Sequence, residues 1–321
     1  MQRLLFILSV SIGSIAAGYL IQIVLTFRGT VSRERFLHLS KYLKLTAFFF
    51  LHPIAIVATF WKLSLDSVQL LLFPILGVFS VLVSGAAALL FIRAFKFPPR
   101  RAASVFTSGM FTNLVTFGGL IGYVLFSDFG YLLAQLFNML VSVCYYLIGY
   151  PVSNNIGKGE SRYLRLDAKT LKSNPLLFVP TAAIATGLIL NAMGVPRPDF
   201  LDSLIGVLIP SRSVLLGVSI GVSLRFAKIR EYRIEVGLVM LIKFLIVPAV
   251  MIPVGLLFGL HTVSDGVPFK MLVVLSVMPV AFNALVPPAI FGFDLDLANS
   301  AWVVTTASLI VIVPVLYFTL V

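Results

Sequence analysis

Asn113 and Asn283 stand 170 residues apart, each inside an apolar run and each beside residues that break helices. Around the first, residues 112–122 read TNLVTFGGLIG, with Gly118, Gly119 and Gly122. Around the second, residues 282–292 read FNALVPPAIFG, with Pro287, Pro288 and Gly292, and Pro279 just upstream. Proline removes a backbone donor and clashes with the preceding turn. Glycine weakens a helix by ~1 kcal/mol relative to alanine. A helix broken in an apolar medium leaves N–H and C=O groups that must be capped or must line a site. Its half-helix N-termini carry partial positive charge and favour anions. A carboxamide both donates and accepts, so either asparagine could cap such a break or bind a polar ligand. The bland alternative is helix–helix hydrogen bonding by the asparagines and close packing by the small residues.

Arg212, in the run IPSRSVLLG, is the sharpest single residue. A guanidinium binds a carboxylate through two parallel hydrogen bonds. In an apolar segment with no acidic neighbour at similar depth, such a charge points by default to function. Its alternative is a side chain that snorkels to the outer surface. Lys243 lies only some seven residues into its apolar run, so snorkelling is the favoured reading there. Gln135 and Asn138 are one helical turn apart and are candidates for the same site, with interhelical packing as the alternative. His52 precedes Pro53 and could titrate, but it has no acidic partner nearby in sequence. The lone Cys144 reads as a small buried filler.

The segments that must position these residues are set by composition. Of 321 residues, 60% are hydrophobic and 11% charged, and the net charge is +12. A soluble domain carries roughly 25% charged residues, so the bilayer must be the solvent for most of this surface. The positive charge falls in short loops and forms no basic face, which argues against nucleic acid. Ten runs have spanning length: 4–26, 43–61, 69–93, 102–124, 129–151, 174–195, 203–224, 236–260, 269–291 and 296–320. The first continues too far to be a cleaved leader. Loops after spans 1, 3, 5 and 7 hold eighteen of the 24 basic residues. That bias makes them cytoplasmic and both termini external, in a multi-pass protein of the cell membrane.

The longest connection, residues 152–173, divides residues 1–151 from 174–321, five spans from five. An odd number inverts the second half relative to the first, the condition for an inverted-topology repeat. At the 170-residue offset Asn113 falls on Asn283, Gly109 on Pro279, Gly118 on Pro288 and Gly122 on Gly292. Paired interruptions of this kind point to a transporter's binding site. The expected contacts are Asn113, Asn283, Gly118, Gly119, Pro279, Pro288, Arg212, Gln135 and Asn138, with the first break at Gly118 and Gly119.

These residues resemble the auxin efflux carrier family of plant carriers and bacterial malonate and malate permease-like proteins. Residues 173–206 look like the segment that opens that family's second half, with an Asn-Pro start. Residues 277–315 look like its last two helices, with Pro279, Ala281 and Asn283 matching a Pro-x-Ala-x-Asn pattern. LHPIAIVATFWKLSL looks like its second helix. Asn113 and Gly118 keep the family register, but Leu120 stands where the family has proline. The resemblance implies the ten-helix fold of bile-acid/sodium symporters, with helices 4 and 9 broken and crossing near the midplane. It implies a scaffold and a transport domain drawn from both halves, elevator-like motion, and small organic anions as cargo.

The fold class expected is therefore an all-α integral membrane protein of ten transmembrane helices in a 5+5 inverted repeat. Its expected function is a carrier for a small organic anion, with a carboxylate the leading candidate. No cofactor or metal is expected, nor is an enzyme, since no nucleophile or ligand motif is visible. The expected partners are the anion and the lipid bilayer, with a second copy of the chain open and no nucleic acid. Without a deep carboxylate, uniport or weak coupling is favoured over a sodium or proton relay. A sodium-coupled carrier of the bile-acid-symporter kind, a membrane-embedded sensor and a channel are the rival readings.

Overall fold

The computed structural model describes residues 1–27, 33–62, 68–160, 175–222 and 229–320. Of the central connection, residues 153–157 extend the preceding helix, and 161–174 lie outside the described residues. Arg28, Arg162, Arg165, Lys169, Lys172, Arg225 and Lys228, which entered the charge bias, also lie outside them, as does the Asn174 of the Asn-Pro start.

The described chain is helical throughout, apart from one isolated bridge. Long apolar runs become helices because only a helix satisfies its own backbone in lipid. We number them α1 (2–27), α2 (33–61), α3 (Phe73–Phe95), α4 (Pro99–Met110), α5 (114–125), α6 (128–157), α7 (Pro175–Ala192), α8 (Phe200–Gly221), α9 (233–257), α10 (Val267–Ser276), α11 (282–291) and α12 (295–320). Among the described residues, seven helical runs are long and apolar enough to cross a membrane, against ten expected from sequence. Three features account for the shortfall. The run 114–157 turns at Phe126 and Ser127, whose backbone leaves the helical region, so α5 and α6 are counted together. Two further segments, α4–α5 and α10–α11, are interrupted in the middle. In α7 the side chains of residues 175–178, 180 and 181 lie outside the described residues, and what remains, 182–192, is a shorter apolar helix.

Close packing uses glycine where backbones nearly touch. A Cβ on Gly217 or Gly221 of α8 would overlap α1, at Ser14 and at the Ile15 carbonyl respectively. A Cβ on Gly77 of α3 would overlap the Phe137 carbonyl of α6. The helices sort by contact. α8 packs along α1 and α2, and α7 along α2, while α4 packs against α3, α6 and α12, and α10 against α5 and α9.

At one end Arg101 of α4 gathers three acidic residues, with Glu231 at 3.0 Å, Glu235 at 3.5 Å and Asp294 at 3.7 Å. Asp294 also caps α12 by accepting from the Leu297 N–H, and it accepts from the Tyr232 hydroxyl. Arg101 thus ties the start of α4 to the starts of α9 and α12.

Candidate functional site

The two interruptions meet. Residues 111–113 and 278–281 are unwound and joined as an antiparallel bridge, Thr112 opposite Val280. The Asn113 N–H donates to the Pro279 carbonyl at 2.9 Å, and the Ala281 N–H to the Phe111 carbonyl at 3.0 Å. Three neighbouring donors are also placed. Thr112 N–H donates to the Tyr145 hydroxyl at 2.8 Å, Val280 N–H to the Thr305 hydroxyl at 3.2 Å, and Leu114 N–H to the Thr112 carbonyl. Pro279 has no N–H to satisfy. Each unpaired group would cost several kcal/mol in lipid, so the two breaks hold each other open.

This geometry corrects the expected position of the breaks. Gly118 and Gly119 are helical and buried, six or more residues past the unwound Thr112. Their lack of a side chain serves packing: a Cβ on Gly118 would sit 2.7 Å from a Leu275 methyl, and one on Gly119 3.3 Å from the Tyr131 ring. Pro287 and Pro288 likewise break nothing, because they fall in the first turn of Val286–Phe291, where proline is tolerated. The second break belongs to Pro279. Gly292, at φ 71°, ends α11 in the left-handed conformation that glycine tolerates.

Beside the bridge is a cavity of about 120 Å³. One water needs roughly 10–15 Å³ by the same measure, so the space suits a small organic molecule. One wall is the bridge itself and the first turns of α5 and α11, with Thr112, Asn113, Thr116 and Asn283. A second is α6, with Asn138, Ser142 and a row of tyrosines. Tyr145 stacks on Phe111 at 4.2 Å, and Tyr146 on Tyr150 at 4.9 Å. The third wall comes from α2 and α8, with Phe48, His52, Arg212 and Leu216.

Arg212 therefore does not snorkel outward. It lies near the middle of α8, is 3% exposed, and forms part of the cavity wall. Its guanidinium carbon is 5.7 Å from the Phe48 ring centre, and its Nε has no hydrogen-bond partner. No described carboxylate pairs with it. The first turn of α5, where a helix's leading N–H groups lack partners within the helix, lines the same cavity. A guanidinium and a half-helix N-terminus facing one small cavity make an anion-favouring place.

Of the nine expected site residues, the structure brings Asn113, Asn138, Arg212 and Asn283 to the cavity wall. Asn113 is 7% exposed, whereas Asn283 is open. Gln135 is buried beside Tyr131 and is not on the wall. Pro279 acts through its carbonyl, and Pro288 through a carbonyl that accepts from Phe293 N–H. Neither reaches the wall, nor do Gly118 and Gly119.

Lys243 corrects the snorkelling expectation. It is 1% exposed, and its ammonium donates to the Thr112 hydroxyl at 2.6 Å and the Ser84 hydroxyl at 3.4 Å. Sequence reasoning also missed the tyrosines of α6 and Phe48. One signal for them was Tyr145, Tyr146 and Tyr150 within a single apolar span. Among the described residues no cluster of three or more His, Cys, Asp or Glu side chains could hold a metal.

A family model described as membrane transport protein, the auxin efflux carrier-like family, matches residues 15–317. No curated protein matches the chain. With nearly its whole length covered, the chain belongs to the auxin efflux carrier-like family of membrane transport proteins and is a multi-pass membrane transporter.

Proposed function

We propose that the chain is a carrier for a small organic anion, a carboxylate, bound between Arg212 and the paired breaks. The observation that carries this reading is Arg212 itself, a buried cation on a cavity wall with no described carboxylate to neutralise it. Burying an unpaired charge costs several kcal/mol, and a transient carboxylate ligand relieves that cost. The aromatic walls accept the apolar part of such a substrate, while Asn113, Asn138 and Asn283 offer amide donors to its polar part.

The breaks support a count of ten spans. α4–α5 and α10–α11 each read as one broken span, α5 and α6 separate at the Ser127 turn, and α7 completes a 5+5 inverted repeat of residues 1–151 and 174–321. In this reading α1, α2, α7 and α8 form the scaffold, and the remaining helices form a transport domain that moves past it in an elevator-like manner. The anion is then held between a scaffold arginine and transport-domain amides, and sliding one past the other changes the side to which the cavity opens. Both termini face outside and residues 152–173 the cytoplasm, in the cell membrane, and a homodimer would steady the scaffold.

The test is uptake into proteoliposomes of labelled mono- and dicarboxylates. We expect saturable uptake of at least one carboxylate and none of its amide. Binding of carboxylates without any flux would favour a sensor, and no binding at all would remove the anion site.

A further inference from the structure

The second buried cation, Lys243, does not line the cavity. It projects from the π-helical turn Ile242–Ile246 of α9 toward the place where α4 ends. Its ammonium reaches the Thr112 and Ser84 hydroxyls. The Ser84 hydroxyl in turn donates to the Gly109 carbonyl, and the Thr112 hydroxyl reaches the Met110 carbonyl at 3.5 Å. The last carbonyls of a helix carry partial negative charge. Lys243 thus sits among hydroxyl and carbonyl oxygens at a half-helix C-terminus, and no described carboxylate neutralises it.

Unwound carbonyls and half-helix C-terminal ends are also the donor set that holds coupling cations in carriers with broken helices. Here the cation is covalently attached. A methionine or leucine would fill the same volume without the cost of burying an ammonium, so packing alone does not account for a lysine. Thr112 joins the two sites: its hydroxyl receives Lys243, its N–H meets Tyr145, and it lies on the cavity wall opposite Val280. We propose that the Lys243 ammonium is a built-in cation that stands where a free monovalent ion would otherwise bind. It fixes the end of α4 and the Thr112–Val280 bridge, so that the site is assembled without sodium or potassium. The inference rests on reading the bridge as the carrier's working centre, but its test requires no substrate.

The experiment is thermal unfolding of the purified, detergent-solubilised protein at constant ionic strength in choline, sodium, potassium or methylammonium chloride. Wild type should melt at the same temperature in all four. Lys243→Ala should melt lower in choline and regain most of the loss, saturably, in methylammonium or sodium, because a ligand that binds only the folded state raises its stability. Lys243→Met, which fills the space without charge, should melt lower than wild type and gain nothing from any cation. Stabilisation of wild type by sodium would overturn the proposal. So would a Lys243→Met protein as stable as wild type in choline, or a Lys243→Ala deficit that no cation repairs. If Lys243→Ala does not fold, the wild-type and Lys243→Met arms still decide. No arm contains an organic anion, so failure here and failure of the carboxylate reading are separate results.

Discussion

At the scale of single residues, the proposed site is built from side chains whose neighbours are remote in sequence. Asn113 contributes its backbone to the bridge and also lines the cavity, and the proposed role of its carboxamide is separable from the backbone one. Truncating the side chain leaves the Asn113 N–H bond to Pro279 in place. Asn113→Ala and Asn283→Ala should therefore unfold at the wild-type temperature but lose uptake tenfold or more. A hydrogen bond to a charged ligand is worth about 1.5–3 kcal/mol, and tenfold is about 1.4 kcal/mol. Wild-type uptake in both variants would remove the asparagines from the site. Arg212 was legible in the sequence because a charge in the middle of an apolar run is costly wherever it points. Lys243 was misread because its distance along the helix suggested an easy exit to water. Its burial comes from Ser84 of α3 and Thr112 beyond α4, which no local pattern announces.

At the scale of elements, four of the five π-helical turns among the described residues are associated with the site. Ala47–Leu51, Leu114–Gly118 and Tyr145–Gly149 each supply cavity-lining residues and Ile242–Ile246 carries Lys243, while Ser9–Gly13 of α1 lies apart. Such turns are rare and often functional. That both segments break was readable from Asn113, Asn283 and their glycines and prolines. Where they break was not, because the position is fixed by backbone pairing across some 170 residues of chain. Glycines that looked like weak points in fact let helices approach closely. Gly221 makes this measurable: a Cβ there would overlap the Ile15 carbonyl and approach Tyr19 N at 2.7 Å. Gly221→Ala should lower stability by about 1–3 kcal/mol through overpacking of α8 on α1, as read by thermal unfolding in detergent. An unchanged melting temperature would mean that α1 and α8 part more easily than their packing implies.

At the scale of the whole molecule, the cavity lies between two groups of helices, one side from α2 and α8 and the other from α5, α6 and α11. The Ser213 hydroxyl of α8 donates to the Thr116 carbonyl of α5 at 3.3 Å, so the groups touch beside Arg212. If transport requires them to slide, joining them should stop it. With Cys144 replaced by Ser, a Thr116→Cys/Ser213→Cys pair bridged by a short thiol-specific cross-linker should lose flux completely and still fold. Undiminished flux in fully cross-linked protein would contradict the sliding motion. If Arg212 takes the carboxylate, carboxylate affinity of purified wild type against Arg212→Gln, with Arg212→Lys as a control, reads it out. Arg212→Gln should lose roughly 10–100-fold, from about 1.5–3 kcal/mol of charge-assisted bonding, and Arg212→Lys, which keeps the charge but not the fork, should lose less. Equal affinity in wild type and a folded Arg212→Gln protein would contradict it.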